Sequence, residues 1–257
     1  MDLLQQLALL GAGLGAGVVL SSIGAASLIS FPILLSVGLP PVVANASNTV
    51  GLVPAGIGGA IGYRRELAAH PALVRAVVIT SALGAVLGAF LLLQLPPAVF
   101  ESLVPWLILF ACALVGLQPA ISGWLQRRAA RLGKAPRDRR SMSAPVKMIS
   151  MVLGVYGGYF GAGQGVMLLA FLALGIDVEL RVINALKTLA VFAANVVASI
   201  VFIAVAELDW TAIVLVGLGS IIGGYVGALI GRRLPPTLFR VLVVAMGLAV
   251  SLILLLG

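Results

Sequence analysis

Nearly unbroken apolar runs of membrane-spanning length recur along this chain, and they leave few folds open. Ala98–Gly123 and Ala212–Gly231 are two of them. About 20 apolar residues in a helix cross roughly 30 Å of hydrocarbon. Of the 257 residues, 61% are hydrophobic and 9% charged, whereas a soluble domain has about a quarter charged. A soluble fold would have almost nothing polar to present to water. The runs are continuous rather than alternating, which points to helices and away from a β-barrel. The many glycines, 31 in all, suit close helix packing and helix breaks. The chain is expected to be an all-α membrane protein of the multi-pass kind.

The formal charge is +8. Its distribution decides what that means. Eight of the 16 Lys and Arg fall between Arg127 and Lys147, between two hydrophobic halves. Such a cluster reads as a cytoplasmic loop under the positive-inside rule, with affinity for anionic head groups as a second use. No aromatics interleave with it, so no nucleic-acid surface is expected. Cys112 is the only cysteine and sits in an apolar run, which excludes a disulfide framework. The start, Met-Asp-Leu-Leu-Gln-Gln, lacks the basic flank of a signal peptide. The first apolar segment is therefore taken as part of the fold.

The chain repeats itself. Val43–Val50 aligns with Val182–Leu189, placing Asn45 against Asn184 and Asn48 against Lys187. At that same offset Gly84 and Gly88 meet Gly223 and Gly227, Leu95–Phe100 meets Leu234–Phe239, and Gly24 meets Gly163. Four matches in one register point to two tandem repeats. The halves are 1–125 and 146–257, joined by a basic linker over 126–145. Each half has an apolar segment (Leu3–Leu20; Val146–Phe160), a break of small residues and a short apolar segment (Ala26–Val37; Val166–Leu174). Three long helices follow, near 42–62, 72–94 and 98–123, and near 180–206, 210–231 and 237–256.

The short segment is roughly 15–18 Å of helix at 1.5 Å per residue, too short to cross alone. It could complete one broken spanning helix, giving parallel repeats, or return as a re-entrant hairpin, giving inverted repeats. The charges favour inversion. Arg64, Arg65 and Arg75 lie two crossings before the basic linker, so both are on the cytoplasmic side. Inverted repeats also put Arg232, Arg233 and Arg240 inside and Glu207 and Asp209 outside. Both chain ends then lie outside. Inverted repeats with interrupted helices recur in secondary transporters, with the substrate at mid-membrane where the breaks meet.

The residues at the breaks are Ser21-Ser22-Ile23-Gly24-Ala25-Ala26-Ser27 and Gly161-Ala162-Gly163-Gln164-Gly165. Each precedes a short helix whose first N–H groups lack intrahelical partners and carry the positive end of the dipole. Small residues let an anion approach that backbone; they also simply permit a kink. Asn45 and Asn48 share a helix face, as do Asn184 and Lys187. Polar groups within a membrane mark function or act as interhelical glue. Lys187 lies about 9 Å beyond Arg181 along a helix. It either snorkels to the interface or supplies an anion site with its fixed charge. Thr49, Thr188 and Asn195 are weaker candidates, since Thr often bonds its own helix. The candidate binding set is Ser21, Ser22, Gly24, Asn45, Asn48, Thr49, Gly163, Gln164, Asn184, Lys187 and Thr188.

Every Asp and Glu falls at an expected helix end or loop, and the single histidine, His70, in a loop expected to be solvated. No buried acid offers itself as a proton carrier. No metal-binding cluster, phosphate-cradling loop or nucleophile–base pair is visible. The sequence thus speaks against an enzyme, an ATP-driven pump and any cofactor.

At these residues the sequence resembles the TauE/SafE family of sulfite and organosulfonate exporters. The resemblance rests on Gly24–Pro32, Ala44–Thr49 and Gly62–Leu67 in the first half. In the second it rests on Gly161–Gly165, Asn184–Lys187 and Leu208–Trp210. It departs at Ser22-Ile23-Gly24-Ala25, where members are richer in glycine. The resemblance implies export of small sulfur oxyanions from a bacterial inner membrane. A potential negative inside favours that direction by about 2.3 kcal/mol per charge per 100 mV. The expected partners are such an anion and the lipid bilayer, with a homo-oligomer left open. The competing readings are proton- or cation-coupled movement of another small anion, and a membrane scaffold without transport.

Overall fold

The computed structural model describes residues 2–22, 25–131, 141–230 and 236–256. These form eleven α-helices and, among the described residues, no strand. The first half contributes α1 (Leu3–Ser22), α2 (Ser27–Ser36), α3 (Pro41–Gly62), the short α4 (Arg64–Ala68), α5 (Pro71–Gln94) and α6 (Pro97–Arg131). The second contributes α7 (Ala144–Tyr159), α8 (Gln164–Gly175), α9 (Leu180–Val205), α10 (Trp210–Ile230) and α11 (Pro236–Leu256). Proline stands at or next to the start of α3, α5, α6, α7 and α11, where its missing N–H costs nothing.

Among the described residues, four helices are long and apolar enough to cross a membrane: Leu3–Leu20, Pro71–Gln94, Pro97–Arg128 and Leu180–Val205. The outward faces are apolar too. Leu83, Leu87, Phe90, Ile200, Ile203, Ile221 and Ile222 are all exposed. Water would not tolerate a surface of that kind, whereas lipid matches it. This is a multi-pass membrane protein.

The helix ends fall close to the expected ones, with two differences. The basic stretch from Arg64, expected to be a loop, holds the short α4. The third long helix of the first half was expected to stop near Gly123 and yield to a linker. Instead α6 continues to Arg131, and α7 begins at Ala144. Gln, Arg and Ala at 126–131 are good helix formers. The Arg128 guanidinium also lies over the Trp124 ring, 5.5 Å from its centroid, one turn away.

Each half opens with a hairpin. The Gln5 amide Nε2 donates to the Val37 carbonyl at 3.3 Å, so α2 ends beside the start of α1. In the second half Gly175, the last residue of α8, packs against the Val146 side chain near the start of α7.

The two halves exchange these first helices. α1 packs along α10, and α7 packs along α5. Both pairs are parallel and in backbone contact. A Cβ at Gly84 would overlap the backbone of Met151 and Val155, and one at Gly223 the backbone of Leu14. Gly84 and Gly223 are the glycines that the repeat aligns. Small residues admit this approach in an apolar medium, where packing rather than water exclusion drives helix association.

Relative directions follow from side-chain contacts. α3 runs with α10: the Asp209 N–H donates to Ser47 Oγ at 3.0 Å, and Ser220 packs its hydroxyl near the Gly51 carbonyl. α9 runs against α3. Arg181, at the start of α9, pairs with Glu66 of α4, just past the end of α3. Arg64, Arg65, Arg75 and Arg181 therefore gather at one end of the bundle, here called the basic end.

Candidate anion-binding cavity

A cavity of about 270 Å³ lies between the halves, lined by residues of both breaks. The second break is built on two glycines. Gly161 and Gly163 have φ of +79° and +77°, the left-handed region that side chains disfavour. Together they end α7 and start α8 within a few residues. The loop is pinned: Tyr156 Oη donates to the Ala162 carbonyl at 2.6 Å. The Phe160 ring is held edge-on by Phe31 and Tyr156, at centroid distances of 5.4 and 6.4 Å.

Gly163 and Gly165 open α8 and line the cavity, and Ala25, Ala26 and Ser27 line it at the start of α2. Two helix N-termini therefore turn towards one space. Most of their first N–H groups bond the preceding turn, Leu28 to the Ala25 carbonyl and Gln164 to that of Gly161 among them, so it is chiefly the helix dipoles that favour negative charge there.

α9 supplies four of the polar side chains. Asn184, Lys187, Thr188 and Asn195 line the cavity, along with Phe192. Lys187 is half-buried and, among the described residues, has no hydrogen-bond or ion-pair partner. Among the described residues, no Asp or Glu lines the cavity, and Lys187 is the one charged residue that does. An unpaired ammonium removed from bulk water gains most from an incoming anion.

The threonines are less free. Thr188 Oγ1 donates to the Asn184 carbonyl at 2.8 Å, and its repeat counterpart Thr49 Oγ1 to the Asn45 carbonyl at 2.9 Å. Asn184 Nδ2 donates to the Leu180 carbonyl at 3.0 Å. Among the described residues, donors open to an anion thus include the Lys187 ammonium, the Asn195 amide and the hydroxyls of Ser27 and Tyr63.

Of the expected set, Thr49, Gly163, Asn184, Lys187 and Thr188 line the cavity. Asn45, Asn48 and Gln164 do not; all three are buried in packed helix contacts. Asn45 Nδ2 donates to the Tyr159 carbonyl at 3.0 Å, and Gln164 Nε2 to the Leu153 carbonyl at 3.0 Å. Both side chains brace the end of α7. Asn48 Oδ1 is buried without a hydrogen-bond partner among the described residues. Ser21 and Ser22 end α1, but their side chains and Gly24 lie outside the described residues. His70, expected in solvent, is half-buried where α5 begins and takes no part.

Several lining residues escaped the sequence reading, among them Tyr63, Gln118 and Phe192. Gln118 had a signal, being a lone amide within an apolar run. Tyr63 immediately precedes Arg64 and Arg65, so it marks where α3 leaves the apolar zone. Phe192 is indistinguishable in sequence from a lipid-facing residue.

The chain matches the family model described as Sulfite exporter TauE/SafE over residues 9–254. It is 29% identical to a probable membrane transporter protein of Sinorhizobium over 93% of this chain and 88% of that one. It is 28% identical to a probable membrane transporter protein of Haemophilus influenzae, over 87% and 84% of the two chains. With the probable membrane transporter protein YfcA of Escherichia coli the identity is 25%, over 85% and 76%. No solved structure matches it. A match across almost the whole length, on a helical bundle with a polar cavity inside an apolar exterior, makes this chain a membrane transporter of the TauE/SafE family.

Proposed function

We propose that the chain exports a small sulfur-containing anion, sulfite or an organosulfonate, across the bacterial inner membrane by alternating access. The observation that carries this reading is Lys187. Among the described residues it stands unpaired in a cavity without carboxylates, facing helix N-termini from both breaks. Such a site attracts an anion and repels a cation. The substrate class rests on the family description.

The reading includes an arrangement of two inverted repeats, each a re-entrant hairpin followed by three crossings. Supporting it are the opposed directions of the repeat counterparts α3 and α9, and the exchanged pairs α1 with α10 and α7 with α5. By the positive-inside rule the basic end is cytoplasmic. The cavity reaches that end through Tyr63, the side from which an exporter loads. The membrane potential then drives the anion outward, and no coupling ion is needed.

The test is sulfite and sulfonate efflux from proteoliposomes, with and without an imposed potential. Efflux rises with a potential negative inside and is lost in Lys187→Ala. Absence of flux for both anions, from folded protein, would sink the substrate assignment.

A further inference from the structure

The cavity is one-sided. On α3 its lining runs from Thr49 to Tyr63 at the basic end, and on α9 from Asn184 near the basic end to Asn195 at mid-helix. The other end of the same two helices is packed. Ala44, Asn45, Ala46, Ser47 and Asn48 are buried on α3, and Ala198, Ser199 and Phe202 on α9.

The repeat register relates the open end to the packed one. It pairs Asn184 with Asn45, Lys187 with Asn48 and Tyr63 with Phe202. In each pair the first residue lines the cavity and the second is buried off it, Asn48 at 1% exposure and Phe202 at 0%. The packed end also leaves polar atoms unanswered. Asn48 Oδ1, Ser199 Oγ and Tyr159 Oη are buried with no hydrogen-bond partner among the described residues. Unsatisfied polar atoms raise the energy of a packed region. Exposure to water or to a ligand would relieve them.

We infer that the packed end is a second, latent half of the site, in which Asn48 takes the place of Lys187 when the cavity opens away from the basic end. This rests on the transporter reading above. The exchange is unequal. Open to the basic end, the cavity presents a fixed ammonium. Open to the other end, it presents a neutral amide. The anion is therefore held more tightly on the basic side and released more readily on the other. The inequality also biases the empty protein. Opening the far end packs Lys187 away as Asn48 is packed now, and an unpaired buried charge costs more than an unpaired buried amide. The empty chain thus rests with its basic end open.

Thiol labelling tests this without any substrate. Single-cysteine variants Asn184→Cys, Asn48→Cys and Phe202→Cys are made in a Cys112→Ala background. Each is first shown to extract as a monodisperse protein. A membrane-impermeant maleimide is then applied to right-side-out and to inverted vesicles. Asn184→Cys reacts from one side. Asn48→Cys and Phe202→Cys react slowly, and from the opposite side. Adding Lys187→Asn, which removes the bias, raises labelling at position 48 severalfold. The inference is overturned if positions 48 and 202 both stay unreactive from either side, or react from the same side as position 184. It is also overturned if Lys187→Asn leaves the rate at position 48 unchanged. Opposite-side labelling in a protein with no sulfite or sulfonate flux would sink the substrate assignment alone.

Discussion

Arg181 Nε meets Glu66 Oε1 at 2.5 Å, tying the start of α9 to the short helix that follows α3. This contact joins the two halves at the mouth of the cavity. The Arg181 side chain is 75% exposed and that of Glu66 12%, so water screens much of the attraction. Breaking the pair with Arg181→Gln or Glu66→Gln is expected to cost at most about 1 kcal/mol. The loss shrinks further with added salt. A double-mutant cycle on melting temperature at low and high salt measures it. A salt-insensitive loss of several kcal/mol would mean that the contact holds the fold rather than the mouth.

Sulfite or a small sulfonate should raise the melting temperature of the detergent-solubilised protein. At ten times Kd the added stability is about 1.4 kcal/mol. Lys187→Ala should abolish that shift while leaving the melting temperature without ligand near the parent value, because Lys187 makes no ion pair among the described residues. Lys187→Arg should keep part of the shift, since the charge survives but the guanidinium is larger. An unchanged shift in Lys187→Ala would place the anion elsewhere.

Two neighbouring glycines should respond oppositely. A Cβ at Gly223 runs into the Leu14 backbone, while one at Gly224 meets nothing within 4 Å. Gly223→Ala must push α1 and α10 apart and should cost about 1–3 kcal/mol or more, as overpacking does. Gly224→Ala should be neutral or slightly stabilising, by about 0.5–1 kcal/mol at most. Yield of folded protein and thermal melts separate the two. Equal behaviour would contradict the backbone contact between these helices.

Gly163→Ala should damage transport more than folding. A side chain at φ +77° costs about 1–2 kcal/mol, and its Cβ would press on Leu114 Cδ1 at 3.3 Å. The break would shift, and with it the first turn of α8 that borders the cavity. Efflux measured alongside melting temperature checks this. Tyr156→Phe, which deletes the bond to the Ala162 carbonyl, should weaken the same loop by about 0.5–1.5 kcal/mol.

Much of the fold was legible because lipid imposes a simple rule: each crossing needs an apolar run of fixed length. The helix ends announced themselves through Pro41, Pro71, Pro97 and Pro236. The extension of α6 did not, because Arg127 and Arg128 read as linker charge although they are good helix formers. The cavity was half legible. The repeat marked Asn45 with Asn184 and Asn48 with Lys187 as equivalent, and sequence gives no reason to treat the members of a pair differently. The structure separates them: Asn184 and Lys187 line the cavity while Asn45 and Asn48 sit in packed helix contacts.

The exchanged helix pairs bear on how the chain is made. α1 leaves the ribosome before the other described helices, and its partner α10 is the last but one of them. Until α10 arrives, the small-residue flank of α1 that includes Gly13 and Gly17 has only lipid or a foreign helix to face. α7 has no such wait, because α5 is already in place when it emerges. Biogenesis is therefore lopsided between the two helix pairs, and the long exposure of α1 is where an insertase or chaperone would have most to protect.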